Sequence, residues 1–243
     1  MDQKYRLDLL LVQRGLAESR EKAKAMIMAG LVQVDGKKTD KAGHLFPESA
    51  SVVLKDTPPY VSRGGKKIEA ALNHFSVDVE GLALLDVGAS TGGFTDCLLQ
   101  HGAKRVVSID VGYGQFAWKL RQDCRVQVLE KTNIRYLKPG DLDMTLDGAV
   151  IDVSFISLRL VIPPVSRLLK RHSFTIALVK PQFEVGKGQV GKGGVVRDPK
   201  LHRDVLDRIS GLFCDAGWVL HGHIPSPLLG PKGNREFLIY VTR

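Results

Sequence analysis

Residues 82–94, Leu82-Ala83-Leu84-Leu85-Asp86-Val87-Gly88-Ala89-Ser90-Thr91-Gly92-Gly93-Phe94 (LALLDVGASTGGF), join an apolar run to an acid and a cluster of glycines. The run is short and bounded by turn residues, which predicts a strand buried on both faces. The glycines behind it let the backbone turn tightly and approach a ligand closely. Residues 93–101 then suit a helix. A buried strand, a glycine turn and a helix together open a parallel sheet whose ligand lies beyond the carboxyl ends of the strands, near the switch point.

Downstream the same alternation continues. RVVSID (105–110), VQVLE (126–130), LDGAVIDVS (146–154) and FTIALVK (174–180) read as strands. A helical stretch runs from the third of these to Lys170, and Asp198–Ala216 suits a long helix. WVLHGHI (218–224) and FLIYVT (237–242) are the last strands, separated only by a Pro/Gly-rich connection, so they are expected to pair antiparallel at one edge. Strand and helix in alternation predict an α/β fold: a mostly parallel sheet with helices on both faces and an antiparallel edge strand.

An acid ends the second strand at Asp110, as in dinucleotide-binding folds, where it would bind ribose hydroxyls. Yet Gly88, Gly92 and Gly93 do not make G-x-G-x-x-G. The spacing resembles the S-adenosylmethionine motif of the Rossmann-like methyltransferases. That resemblance implies S-adenosylmethionine as cofactor, held by Asp86, Gly88, Ala89, Ser90, Gly92, Gly93, Phe94, Asp110, Val111, Asn133 and Asp152.

Ahead of this sheet the pattern differs. RLDLLLVQR (6–14) suits a short helix closed by Gly15. Ser19 can cap a second helix that ends at Gly30. LVQVDGKK alternates and turns at Asp35-Gly36, a hairpin signal, and ASVVLK alternates again. The motifs RLD-x-x-LV-x-RGLA-x-SR and AG-x-V-x-VDGK resemble the small α+β RNA-binding domain of a ribosomal protein, pseudouridine synthases and tyrosyl-tRNA synthetases. By that resemblance, Arg6, Arg14, Arg20, Lys22 and Lys24 grip RNA phosphates. The expected organisation is a small domain over 1–55, a proline-rich linker over 56–62 and the sheet domain over 63–243.

Bulk properties agree with a nucleic-acid partner. The chain has 243 residues, 44% hydrophobic and 25% charged, and its 35 Lys and Arg exceed 26 Asp and Glu for a net charge of +9. Such a balance favours anionic partners. No apolar run reaches the roughly 20 residues a membrane span needs. The three scattered cysteines, Cys97, Cys124 and Cys214, have neither disulfide-framework nor metal-site spacing, so a reducing cytoplasm and no metal are expected.

Four polar residues stand where strands and helices meet the ligand edge: Lys67 at a helix start, Asp152 and Lys180 at strand ends, and Glu236 opening the last strand. Together they resemble the Lys-Asp-Lys-Glu set of FtsJ-type ribose 2′-O-methyltransferases. The order RNA-binding domain, VSRGGKK, DVGASTGGFTDCLL, DVSFISL, LVKPQFE and GNREF resembles the TlyA-type family, often labelled haemolysins and including ribosomal-RNA 2′-O-methyltransferases. The resemblance implies methyl transfer to a ribose 2′-hydroxyl of ribosomal RNA, on a cytidine. Lys66 and Lys67 compete for the first lysine; Lys67 directly precedes an aliphatic residue, as the family's lysine does. A ribose hydroxyl is a poor nucleophile, and a positioned base is worth about 10²–10⁴-fold. Lys180 is the expected base, Lys67 the cation beside it, and Asp152 and Glu236 the orienting carboxylates, with Glu236 the least critical as the opening of an edge strand. Arg63 and Lys66 are expected at the RNA.

Residues 186–198 (GKGQVGKGGVVRD) match a nucleotide phosphate loop at every position but the last, where Gly193 replaces the metal-binding hydroxyl. No helix follows directly. Placed just beyond Lys180, the loop is read as holding RNA phosphate through Lys187, Lys192 and Arg197, with glycines that let it close over the strand. Two other readings are a membrane-lytic haemolysin and an RNA-binding protein without catalysis. The first lacks a long cationic amphipathic helix in the sequence, and the intact four-residue set argues against the second.

Overall fold

A computed structural model describes residues 3–54, 59–186 and 188–243, in two compact units, Met1–Pro59 and Tyr60–Arg243. Residues 56–58 of the linker expected over 56–62 lie outside the described residues. Tyr60 and Val61 are built into the second unit: the Tyr60 hydroxyl donates to Glu69 at 2.7 Å, and the Val61 N–H donates to Asp96 at 2.8 Å.

The first unit runs β1 (Lys4–Arg6), α1 (Leu7–Gln13), α2 (Arg20–Met28), β2 (Val32–Val34), β3 (Lys37–Lys38), β4 (Leu45–Pro47) and β5 (Val52–Leu54). The Ser19 hydroxyl caps α2 by accepting from the Lys22 N–H at 3.2 Å. Asp35 and Gly36 both have positive φ, 50° and 75°, the conformation of a type I′ hairpin turn. β5 joins the other side of β2, and β1 pairs with β4 in a separate two-stranded ribbon. That ribbon has no alternation long enough to be seen in sequence. Leu7, Leu11, Ala23, Ile27, Val32 and Val34 form the core of this unit.

The second unit contains α3 (Gly64–Phe75), β6 (Ala83–Val87), α4 (Gly93–Gln100), β7 (Arg105–Ile109), α5 (Trp118–Arg121), β8 (Val126–Leu129) and β9 (Leu146–Ile151). It continues through α6 (Ile162–Leu168), β10 (Leu169–Val179), α7 (Pro181–Glu184), α8 (Pro199–Asp215), β11 (Val219–Pro225) and β12 (Phe237–Thr242). The seven strands lie in the order β11-β12-β10-β9-β6-β7-β8. β8, β7, β6, β9 and β10 are mutually parallel, and β12 runs against β10 and β11. The antiparallel hairpin thus occupies one side of the sheet as expected, with β12 inserted inside β11. Neighbouring strand residues alternate between two cores. Leu84, Val106, Val150 and Ile176 pack with α3 and α4, while Leu85, Val107, Ala149 and Ala177 pack with α6 and α8. The chain reverses its direction of travel across the sheet between β6 and β9, which sets the switch point there.

Candidate active site

The loops after β6 and β9 touch at the switch point. The Asp152 N–H donates to the Val87 carbonyl at 2.9 Å, and a Cβ at Gly88 would lie 2.4 Å from the Asp152 carbonyl oxygen. Only glycine permits that approach, and Gly88 also has a positive φ of 85°. Two cavities open on this contact and share Gly88, Ser90 and Asp152. One, of about 400 Å³, reaches Arg63, Lys67, Phe94 and the Leu228–Pro231 turn. The other, of about 470 Å³, reaches Asp110, Val111, Asn133, Ser154 and Phe155.

The four expected catalytic residues form two ion pairs. Lys180 Nζ lies 2.5 Å from an Asp152 carboxylate oxygen and donates to Ser154 Oγ at 2.9 Å. Lys67 Nζ donates to Glu236 Oε2 at 2.7 Å, joining α3 to the start of β12. The charge partner of Lys180 is therefore Asp152, one of the two carboxylates expected to orient lysine and hydroxyl, and the partner of Lys67 is the other, Glu236. Both pairs are largely withdrawn from water: Lys180 is 8% exposed and Glu236 2%. Buried charges persist when paired and hydrogen-bonded. Glu236 also does not open an edge strand, because β12 lies between β10 and β11. The chain closes on it: a Cβ at Gly230 would fall 2.1 Å from Glu236 Oε1.

The residues expected at the cofactor divide by position. Asp110, Val111 and Asn133 line the larger cavity; Ala89, Gly93 and Phe94 line the smaller; Gly88, Ser90 and Asp152 line both. Asp110 accepts from the Ser90 N–H and the Gly112 N–H, each at 2.7 Å, which fixes its carboxylate against the glycine turn. Asp86 is fully buried and lines neither cavity. Its Oδ2 accepts from the Thr95 N–H at 3.0 Å and the Thr95 hydroxyl at 2.6 Å, so it anchors the first turn of α4. Burial, with the Asp152 and Asp110 carboxylates nearby, pushes its pKa up to about 7. Gly92 also lines neither cavity; a Cβ there would meet Leu120 at 2.5 Å and Phe116 at 2.9 Å, so its bareness serves packing.

The expected RNA residues are not equivalent. Arg63 and Lys66 are exposed at the start of α3, and Arg63 lines the smaller cavity. Arg6 and Arg20 both pair with Asp8. Arg14 donates to the carbonyls of Ala50, at 2.8 Å, and of Glu48, so its guanidinium braces the 48–50 backbone. Lys22 pairs with Glu18, and Lys24 is half-buried. Lys192 and Arg197 are exposed, and Lys187 lies outside the described residues. The end of the glycine-rich loop is tied down rather than free. Asn234, 3% exposed, accepts from the Val196 N–H at 3.1 Å and donates to the Gly194 carbonyl at 3.0 Å.

Two residues at the site escape sequence reasoning. Ser154 partners Lys180, and its only signal is its place two residues after Asp152. Phe155 is 91% exposed with φ of +62°, a conformation bulky side chains rarely adopt. It stands with its ring centroid 5.0 Å from that of Phe183 at the mouth of the larger cavity.

Residues 60–243 match the profile of the FtsJ-like methyltransferases, and residues 6–51 match the S4 domain. The chain is 46% identical to the 16S/23S rRNA (cytidine-2′-O)-methyltransferase TlyA of Mycobacterium tuberculosis, covering 99% of this chain and 91% of that protein. A Streptococcus thermophilus protein solved under a hemolysin label is 44% identical, with a TM-score of 0.77 over 100% of this chain and 90% of that one. An S-adenosylmethionine dependent methyltransferase from Mesorhizobium loti shares the fold at 14% identity and a TM-score of 0.52, covering 72% of this chain and 96% of that one.

Proposed function

This chain belongs to the FtsJ-like methyltransferase family, with an S4 domain ahead of the catalytic unit, and we propose that it transfers a methyl group from S-adenosylmethionine to a ribose 2′-hydroxyl of ribosomal RNA. The observation that carries the reading is a pair of lysine–carboxylate contacts beside two adjoining cavities: Asp152, the partner of Lys180, lines both cavities, and Lys67, the partner of Glu236, lines the smaller. By likeness to the M. tuberculosis relative, the acceptor is a cytidine.

The larger cavity fits the cofactor. Its volume is of the order that small-molecule sites have, about 300–1,000 Å³. Asp110 retains lone pairs for a ribose diol beyond the two it gives to backbone N–H groups. Val111, Ile134 and Phe155 offer apolar walls to a base, and Gly88 leaves the backbone bare where the two cavities join. When bound, S-adenosylmethionine supplies the methyl group and its own leaving group.

The chain's task is then alignment and proton removal. Once its ammonium has released a proton to solvent, the neutral Lys180 amine takes the 2′-hydroxyl proton, and Asp152 holds the ammonium that re-forms. Asp152, which lines both cavities, fixes that lysine at the border between donor and acceptor. Lys67, held by Glu236, places a cation in the acceptor cavity where the hydroxyl oxygen gains negative charge. Arg63 at the same cavity and the basic residues of the first unit engage phosphates. The test is methyl transfer from labelled S-adenosylmethionine to ribosomal RNA, followed by nuclease digestion and mass spectrometry. A ribose-methylated nucleotide is expected; a methylated base would overturn the reading. No observation favours membrane lysis: among the described residues no helix is long and apolar enough to cross a membrane.

A further inference from the structure

The first unit holds a buried carboxylate with no role in the reaction above. Asp8, in the first turn of α1, is 0% exposed. Arg6, at the end of β1, donates from Nε and Nη2 to its two oxygens, each at 3.0 Å. Arg20, at the start of α2, donates from Nε to Oδ2 at 2.9 Å. The Leu9 N–H completes the shell at 3.0 Å. Two guanidinium groups from different elements thus meet on one carboxylate. They remain 42% and 44% exposed while the carboxylate is hidden behind them. The terminal amino groups of Arg20 have no protein partner among the described residues. The Arg6 guanidinium packs against Gly43, where a Cβ would come within 3.3 Å of Nη1 and 3.4 Å of Nη2, so the bare backbone makes room for it.

We propose that Asp8 is a positioning residue for nucleic acid: it holds Arg6 and Arg20 side by side as a single guanidinium pair that receives a backbone phosphate of the RNA. The proposal rests on the reading of the substrate as RNA. Arginine presents a rigid fork of donors suited to phosphate, but a free arginine must surrender rotamer freedom when it binds. On Asp8 that freedom is surrendered during folding. The carboxylate also remains ionised under working conditions, because the Arg6 guanidinium beside it holds its pKa at about 2. Two cations against one buried anion leave a net positive face toward solvent, so a phosphate meets the guanidinium groups first.

The test uses the full chain and purified ribosomal RNA, with filter binding across a salt series. Arg6→Ala and Arg20→Ala are expected to weaken binding. Asp8→Asn is expected to weaken it roughly tenfold and to flatten the salt dependence, since one phosphate contact is lost. In an Arg6→Ala/Arg20→Ala background, Asp8→Asn should add less than about twofold, because partners in one network are not additive. Unchanged or tighter binding by Asp8→Asn, with the arginine variants still weakened, would overturn the proposal. So would an undiminished Asp8→Asn effect in that background, which marks a purely structural role. If Asp8→Asn does not fold, Arg20→Lys decides: it keeps the charge and loses the Nε donor, so weakened binding supports the clamp and wild-type binding sinks it. Wild-type binding by both Arg6→Ala and Arg20→Ala would remove the RNA reading of this unit, and the proposal with it.

Discussion

At the residue scale, Lys180 and Lys67 act through different carboxylates, so their variants should fail differently. Lys180→Ala should lower methyl transfer by about 10²–10⁴-fold, the worth of a positioned base, while S-adenosylmethionine and RNA affinities measured by calorimetry stay close to wild type. Lys67→Ala leaves the Glu236 carboxylate buried and alone, which costs of order 3–5 kcal/mol in comparable pairs. Lys67→Ala and Glu236→Ala should each destabilise the chain, and the double variant should lose less than their sum in urea unfolding. Additive losses would mean that the pair is not a unit. Asp86 gives a pH prediction. Its folded pKa of about 7 lies above its ordinary carboxylate value, so the folded state keeps a proton that the unfolded chain releases. Stability through this group is therefore present at low pH and falls as pH rises toward 7, by of order a few kcal/mol. Asp86→Asn should show a smaller drop between pH 5 and pH 8 than wild type in the same unfolding assay; an equal drop would refute the assignment. The places of the four catalytic candidates were readable because each stands at the end of an element, and their grouping as a set came from the family resemblance. Their pairing was not: Lys67 and Glu236 are 169 residues apart, and nothing local links them.

At the element scale, the glycines after β6 have separate duties that the motif does not distinguish. Gly88→Ala should drive a methyl group toward the Asp152 carbonyl and impose strain at a φ of +85°, so cofactor affinity should fall sharply in a protein that still folds. Gly92→Val should instead lower the melting temperature, because its side chain would enter the space held by Leu120 and Phe116. Calorimetry beside thermal melts separates the two outcomes. Most strands lay where the apolar runs put them, since burial on both faces leaves an unambiguous signal. The expected helical stretch to Lys170 did not survive: α6 stops at Leu168, and β10 begins at Leu169 and runs on through 174–179. Pro163 and Pro164 sit in the first turn of α6, where proline is tolerated, and they fix the start of a helix only seven residues long. The glycine-rich loop looks free to move in sequence, but its far end is pinned by Asn234, a long-range contact that composition does not report. Asn234→Ala should leave the Val196 N–H and the Gly194 carbonyl unpaired, a loss of about 1–3 kcal/mol, and should speed proteolytic cleavage within residues 188–196. An unchanged cleavage rate would show that the loop is held by other means.

At the scale of the whole molecule, the chain is two units with separate cores, one built on Leu7, Leu11 and Ile27 and the other on the two faces of the seven-stranded sheet. The change from short amphipathic elements to buried strands is visible in the sequence because the two units bury their apolar residues with different periods. Within the small unit, the β1–β4 ribbon was hidden, because three-residue strands are too short for any period to register. Separate cores make a truncation informative. A chain starting at Tyr60 keeps every strand of the large sheet, both ion pairs and both cavities. It should fold, melt cooperatively and bind S-adenosylmethionine with nearly the affinity of the full chain. It should lose the contribution of Arg6 and Arg20 to RNA binding, and the logarithm of its RNA affinity should depend less steeply on the logarithm of salt concentration, by about one unit of slope for each phosphate contact removed. Methyl transfer at saturating RNA should be reduced less than transfer at low RNA, because phosphate contacts position the substrate and do not enter the chemical step. A truncated chain with the full salt slope would place the RNA grip wholly in the catalytic unit and leave the small unit without a part in recognition.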